Sequence, residues 1–174
     1  MKIFIIGSER CGKSSAAFFL SQALNCEYAE TGRLVINELA KLYATGNGAP
    51  ESYDTWVRII GLHKDEFRHE LGVVGDLITT LAPTHLIDDC AKRARIVVGV
   101  RRRREVLSFF RNCSRQDWNC RWIKIVAPQP AVSGSRYELR SQPCDYEVVN
   151  DGDLPALQEK MQTVARKIQS KPAA

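Results

Sequence analysis

The chain has 174 residues, the size of one ordinary domain and enough to bury most of its apolar surface without disulfide or metal staples. With 44% hydrophobic and 26% charged residues it has a globular composition, and no apolar run approaches the roughly 18 residues of a membrane span, so a membrane protein is not expected. The net charge of +5 suits a protein that handles polyanions, nucleotides as well as nucleic acids, while six cysteines without a CxxC pair and three histidines without ligand spacing argue against a metal module and for a reduced, cytoplasmic setting.

The first predicted element is a strand. Ile3-Phe4-Ile5-Ile6 is a continuous apolar run, the pattern of a strand covered on both faces in a parallel sheet. Four residues are too few for the apolar region of a signal peptide. A glycine loop follows, and then a predicted helix from about residue 12 to 24 carrying Ala16, Ala17, Phe19, Leu20, Ala23 and Leu24 at helical spacing, with Asn25 as its stop. Residues 26 to 29 read as a short second strand. Thr31 is placed to cap a helix bearing Leu34, Val35, Leu39 and Leu42.

Residues 44 to 54 are rich in Gly, Pro and Asn and predict a loop. Trp56, Ile59, Ile60, His63 and Phe67 predict one helix over about 55–71, and a further one is expected over about 73–81, stopped near Pro83. Two buried strands are predicted at 96–100 and 122–126, separated by a helix over about 104–112, and a fifth strand at 146–149. The last predicted element is an amphipathic helix over about 154–168 with Leu157, Met161, Val164, Ala165 and Ile168 on one face.

Alternating buried strands and helices predict an α/β fold, a three-layer sandwich around a five-stranded parallel sheet with right-handed crossovers, in one domain spanning 1–174. Ligands of such folds sit at the carboxyl ends of the strands. Here those ends are Gly7, residues 29–31, Arg101, residues 127–130 and residues 150–152.

The first of these ends carries the strongest chemical signal. Gly7-Ser8-Glu9-Arg10-Cys11-Gly12-Lys13-Ser14 fits the G-x4-G-K-[ST] pattern at every fixed position. Chance gives such a match in on the order of one per hundred chains of this length, and the strand before and helix after it lower that further. Gly7 and Gly12 permit the backbone angles that converge N–H groups, those of Ser8, Arg10, Cys11 and Ser15 among the candidates, on a phosphate at a helix N-terminus. Lys13 can reach the β- and γ-oxygens and Ser14 can ligate Mg²⁺, so the expected cofactors are ATP and Mg²⁺. Cys11 lies at a helix start, a position that tends to lower a thiol pKa, but is read as a variable position of the loop.

Together with this loop, Arg68-x-x-Leu71-Gly72, the run ending Gly99-Val100-Arg101, and Asp145 to Leu154 (DYEVVNDGDL) form a layout that resembles the nucleoside monophosphate kinase group. It is most similar to the viral-type deoxynucleoside monophosphate kinases and their dephospho-coenzyme A kinase relatives. The resemblance implies a phosphotransferase of deoxynucleotide metabolism with nucleotide small-molecule substrates. It makes Arg68, with Arg33, a grip for the acceptor's phosphate, Arg101 a contact to acceptor and transferred phosphoryl, and Asn150 and Gly152 a border of the donor base. The segment 128–143 takes the place of a lid, bringing Arg136 or Arg140 to the reacting phosphates.

These kinases need no dedicated base, because alignment and charge neutralisation dominate a loose transfer. One departure stands out: the strand at 96–100 ends in Gly99-Val100-Arg101 and not in an aspartate, so either another acid such as Glu30, Asp88 or Asp89 supports the metal or metal binding is weak. The run Arg101 to Arg104 splays around a helix start, so nucleic acid is disfavoured as a partner and Glu105 is expected to offset part of its charge. Trp56, Trp118 and Trp122 are expected as packing anchors. A homodimer is left open. The rival expectations are a kinase for dephospho-coenzyme A or another small alcohol, and a nucleotide-binding regulatory or assembly subunit without transfer activity.

Overall fold

A computed structural model of the chain describes residues 1–8, 10–46, 51–100, 105–107, 109, 119–128 and 144–170. In chain order these form β1 (Lys2–Gly7), α1 (Lys13–Leu24), β2 (Tyr28–Glu30), α2 (Thr31–Thr45), α3 (Tyr53–Leu62), α4 (Arg68–Leu81), α5 (His85–Arg93), β3 (Ile96–Val98), β4 (Cys120–Val126), β5 (Tyr146–Val149) and α6 (Leu154–Ser170). The strands make one five-stranded sheet in the order β2-β3-β1-β4-β5, and every pairing is parallel.

The sheet is built outward from β1, whose Ile3, Phe4, Ile5 and Ile6 are all 0% exposed. Alternate side chains of a strand point to opposite faces, and here they found two separate cores. Ile3 and Ile5 join Ile123 and Ile125 of β4, Ala17 and Leu20 of α1, and Leu157 and Met161 of α6. Phe4 and Ile6 face the other way, onto Ile87 and Cys90 of α5, Phe109 and Trp122. Phe4 stacks on Trp122 at 4.8 Å between ring centroids and meets Phe109 at 4.6 Å, an arrangement that adds to the roughly 1.5–3 kcal/mol each large side chain gains by burial. A third cluster, with Val35, Leu39, Ile60, Val74 and Leu86, ties α2 to α5 together beside the sheet.

The helix ends follow from local chemistry. Asn25 takes the left-handed conformation (φ 47°) after α1, as a C-terminal Asn does. The Ser52 hydroxyl accepts from the Thr55 N–H and starts α3. Thr31, expected as a cap, is instead the first residue of α2, which is preceded by Glu30 with no side-chain cap.

The predicted single helix over 55–71 is corrected: α3 ends at Leu62 and α4 begins at Arg68 and continues through Gly72 to Leu81. Between them the His63 carbonyl accepts from Glu66 and Phe67 N–H, making a tight turn in place of another helical turn. The ring of Phe67 sits 5.9 Å edge-on to Tyr43, which itself stacks on Trp56 at 4.7 Å. Helical periodicity in the sequence runs through the turn because both helices bury their apolar side on the same partner, α2.

Helix α5 escapes a periodicity reading because only Leu86, Ile87, Cys90 and Ala91 are apolar and buried in nine residues. Its ends are well matched to the dipole, with Asp88 in the first turn and Lys92 and Arg93 in the last. The expected loop at 44–54 is shortened at both ends by α2 and α3. Of the predicted helix over 104–112, residues 105–107 and 109 are helical.

Candidate functional site

Central placement of β1 sets its carboxyl end, Gly7, at the middle of the sheet's carboxyl edge, and the loop there curls back on itself. Positive φ angles occur at Gly7 (151°), Arg10 (58°) and Gly12 (91°). Space fixes the glycines as firmly as angle does. A Cβ on Gly7 would lie 2.3 Å from the Ile125 carbonyl oxygen and 2.7 Å from Cys11 Sγ, and one on Gly12 would lie 2.5 Å from Asn150 Nδ2. Helix α1 then starts at Lys13 with no side-chain cap on Gly12 and no acid in its first turn, so its positive pole is turned toward whatever occupies the loop.

Lys13 folds over the loop, its Nζ donating to the Ser8 carbonyl and lying 3.8 Å from Cys11 Sγ. The Cys11 side chain is buried. Burial raises its thiol pKa, and the neighbouring Lys13 charge opposes only part of that, so at this helix start loss of water prevails.

Beside the loop opens a cavity of about 880 Å³. One wall is the loop and the α1 start, with Arg10, Gly12, Lys13, Ser14 and Ser15; the facing wall comes from the α3–α4 turn and the first turns of α4, with Lys64, Asp65 and Arg68. Three further carboxylates, Glu30, Glu66 and Glu105, also line it. Of the three acids that sequence reasoning offered in place of a strand-end aspartate, Glu30 is the one the fold brings to the cavity. Asp88 and Asp89 stand on α5, where Asp89 pairs with Arg93 at 2.8 Å.

The missing aspartate has a steric counterpart. Past β3 the chain turns at Gly99 (φ 95°), and a Cβ there would come within 2.7 Å of Thr31 Oγ1, so the α2 N-terminus occupies the place a side chain would need.

Asp65 joins the two walls. It accepts from Arg68 of α4 and, at 3.3 Å, from Arg10 of the loop. The Arg68 hydrogen bond and charge, with Arg10 adding less, hold its carboxyl below the usual carboxylate range. All three groups are largely exposed, so the pair is worth little in stability.

Other predicted residues fall elsewhere. Gly7, Ser8 and Cys11 belong to the loop but not to the cavity wall, and Arg33 is exposed in the first turn of α2, also off the wall. The Asn150 Nδ2 donates at 3.0 Å to the Cys11 carbonyl. Gly152 packs on the first turn of α6, where a Cβ would lie 2.9 Å from that of Ala156. Arg101, Arg136, Arg140 and Trp118, and the lid segment beyond Pro128, lie outside the described residues. The sequence carries no spacing signal for Asp65, an acid in a polar turn, and offers Glu105 only as a partner of the arginine run.

No protein-family model matches the chain, and no curated protein matches its sequence. A solved structure of shikimate kinase from Aquifex aeolicus vf5 superposes with a TM-score of 0.53 at 14% identity, over 99% of this chain and 100% of that one. Likeness at that identity shows the fold alone: an α/β sandwich around a five-stranded parallel sheet, as in that kinase. Among the described residues, no helix is long and apolar enough to cross a membrane.

Proposed function

We propose that the chain is an ATP-dependent phosphotransferase that moves the γ-phosphoryl group onto a phosphorylated small molecule, a (deoxy)nucleoside monophosphate being the acceptor the sequence resemblance favours. The observation that carries the proposal is the shared cavity, in which Lys13 and Ser14 of the phosphate loop face Arg68 and Lys64 of the α3–α4 wall. The loop wall suits the donor's phosphates, and Lys64 and Arg68 offer an anionic acceptor two cations on the facing wall, beside the carboxylates Asp65 and Glu66, so that the two reactants would be held against each other.

The loop fits a nucleoside triphosphate with Mg²⁺ on the chain's own geometry: a left-handed Gly12 pressed on Asn150, an uncapped helix start and a serine hydroxyl at Ser14. Ser14 would hold the metal, with Glu30 the acid from the cavity lining that could support it. When bound, the ion would supply positive charge against the negative charge that develops during transfer. Lys13 adds a cation at the β- and γ-oxygens, and leaving the Ser8 carbonyl is the step that makes it available. Arg68 orients the acceptor's anionic group by exchanging its Asp65 partner for it. Arg101 and the 128–143 segment with Arg136 are proposed to complete the charge around the transferred group and to exclude water from it.

A second acceptor class, a small unphosphorylated alcohol, is favoured by the likeness to shikimate kinase over the whole chain and by Asp65 already occupying Arg68. A coupled ADP-release assay against nucleoside monophosphates, dephospho-coenzyme A and small alcohols such as shikimate separates the two. Turnover with a nucleoside monophosphate is the expected result. Turnover with alcohols alone selects the second class, and tight ATP binding without any transfer identifies a nucleotide-binding regulator.

A further inference from the structure

The phosphate loop is braced from outside by a residue the cavity does not contain. In a loop whose N–H groups turn inward to an anion, the carbonyls of the same peptides must turn outward, and a carbonyl directed into the protein needs a donor. The Cys11 carbonyl finds one 139 positions away in sequence, the side-chain amide of Asn150 at 3.0 Å. The contact is close on both sides of that peptide: Gly12 lies so near the amide that a Cβ would come within 2.5 Å of Nδ2.

Asn150 is itself held in place. Its backbone N–H donates to the Val126 carbonyl at 2.7 Å, carrying the β4–β5 pairing one residue past the end of β5. On either side of it, Lys160 of α6 ties down the chain, donating to the Val149 carbonyl at 2.8 Å and pairing with Asp151. The amide is therefore presented from a fixed backbone.

We propose that Asn150 is a positioning residue for the phosphate loop: by donating to the Cys11 carbonyl it sets the plane of the Cys11–Gly12 peptide and aims and strengthens the Gly12 N–H that receives the nucleotide's phosphates. The carbonyl of Cys11 and the N–H of Gly12 are the two ends of one peptide group. A hydrogen bond accepted at the oxygen polarises the group and makes its N–H a better donor. The loop's grip on phosphate thus depends on the far edge of the sheet and on α6. The inference rests on the proposed nucleotide binding, and it gives Asn150 a different task from bordering the base.

The test uses the full chain with Asn150→Ala and the isosteric Asn150→Asp, and titrates ADP, a non-hydrolysable ATP analogue and adenosine by calorimetry. Loss of one hydrogen bond to the loop is expected to weaken ADP and the analogue roughly tenfold while adenosine binding stays as in the wild type. In Asn150→Asp, affinity relative to the wild type should recover as pH falls through the carboxyl pKa, because a protonated acid can again donate to Cys11. In the free protein, the Gly12 amide resonance in a ¹⁵N–¹H spectrum should move in both variants.

Equal weakening of ADP and adenosine would make Asn150 a base contact and overturn the proposal. An unmoved Gly12 resonance with unchanged ADP affinity would overturn it as well, as would a lowered melting temperature with binding intact. ADP binding that is absent in the wild type, or indifferent to Lys13→Ala, would instead sink the nucleotide reading, and the Gly12 resonance would still report whether the brace exists. Should Asn150→Ala fail to fold, the isosteric variant carries all three measurements.

Discussion

Two guanidinium groups share one carboxylate at the mouth of the cavity, and that sharing decides what each can do. Asp65 is held below the ordinary carboxylate range mainly by Arg68. A depressed carboxyl contributes its stability above its unfolded pKa and loses it only as pH falls through the lower folded value, so the pairs persist throughout the neutral range. On the proposed function, an anionic acceptor would compete with Asp65 for Arg68. Arg68→Ala is expected to raise the acceptor KM about tenfold with ATP affinity unchanged, a split measured by varying each reactant in turn; an unaltered acceptor dependence would leave Arg68 as a surface ion pair. Lys13 acts on the opposite wall. On the proposed function, its replacement by Ala removes a charge that would face the transferring phosphoryl and should lower kcat by at least about 10²-fold in the ADP-release assay. Turnover like that of the wild type would place the chemistry outside this loop.

At the scale of elements, the phosphate loop is only as well placed as the strand and helices around it. Helix α6 contributes Leu157, 1% exposed, to the same core cluster as Ala16 and Ala17 of α1, and its side chain lies 3.6 Å from where a Gly12 Cβ would be. Leu157→Ala should cost roughly 2–5 kcal/mol of unfolding free energy, read from denaturant midpoints at constant slope, and should weaken ADP binding at temperatures where the fold persists. Full stability after that truncation would mean that α6 is not anchored as described. The α3–α4 break serves the site in a different way: by turning at 63–67 in place of continuing, the chain presents Lys64, Asp65 and Arg68 to the cavity.

Across the whole molecule, two cores back the sheet, and their reactive groups are shielded. Burial first, and then the Asp89 charge, pushes the Cys90 thiol up to about 12, and Cys11 is raised in the same direction by burial. Both thiols stay protonated through the neutral range. Native protein treated with a maleimide or with Ellman's reagent is therefore expected to label Cys11 and Cys90 at least tenfold more slowly than denaturant-unfolded protein. Fast native labelling of Cys90 would show that the α5 face of the sheet opens easily.

What the sequence determined by itself was whatever is local in the chain. The four-residue apolar run before Gly7, the glycine and lysine spacing, and the 3.6-residue period of the first and last helices specify the strand, the phosphate loop and the sandwich, because each depends on backbone angles and side-chain periodicity within a dozen residues. The resemblance to a kinase group offered Arg68 as a grip for an acceptor's phosphate; the fold places Arg68 in the cavity lining, and its role there is a proposal. Only the tertiary structure decided which acid reaches the cavity, that Asp65 bridges its two walls, and that Asn150 holds Cys11. Those contacts join positions 55 to 139 residues apart, and they arise from how the sheet order β2-β3-β1-β4-β5 sets strand ends side by side. No spacing along the chain encodes which of several polar residues that juxtaposition will select.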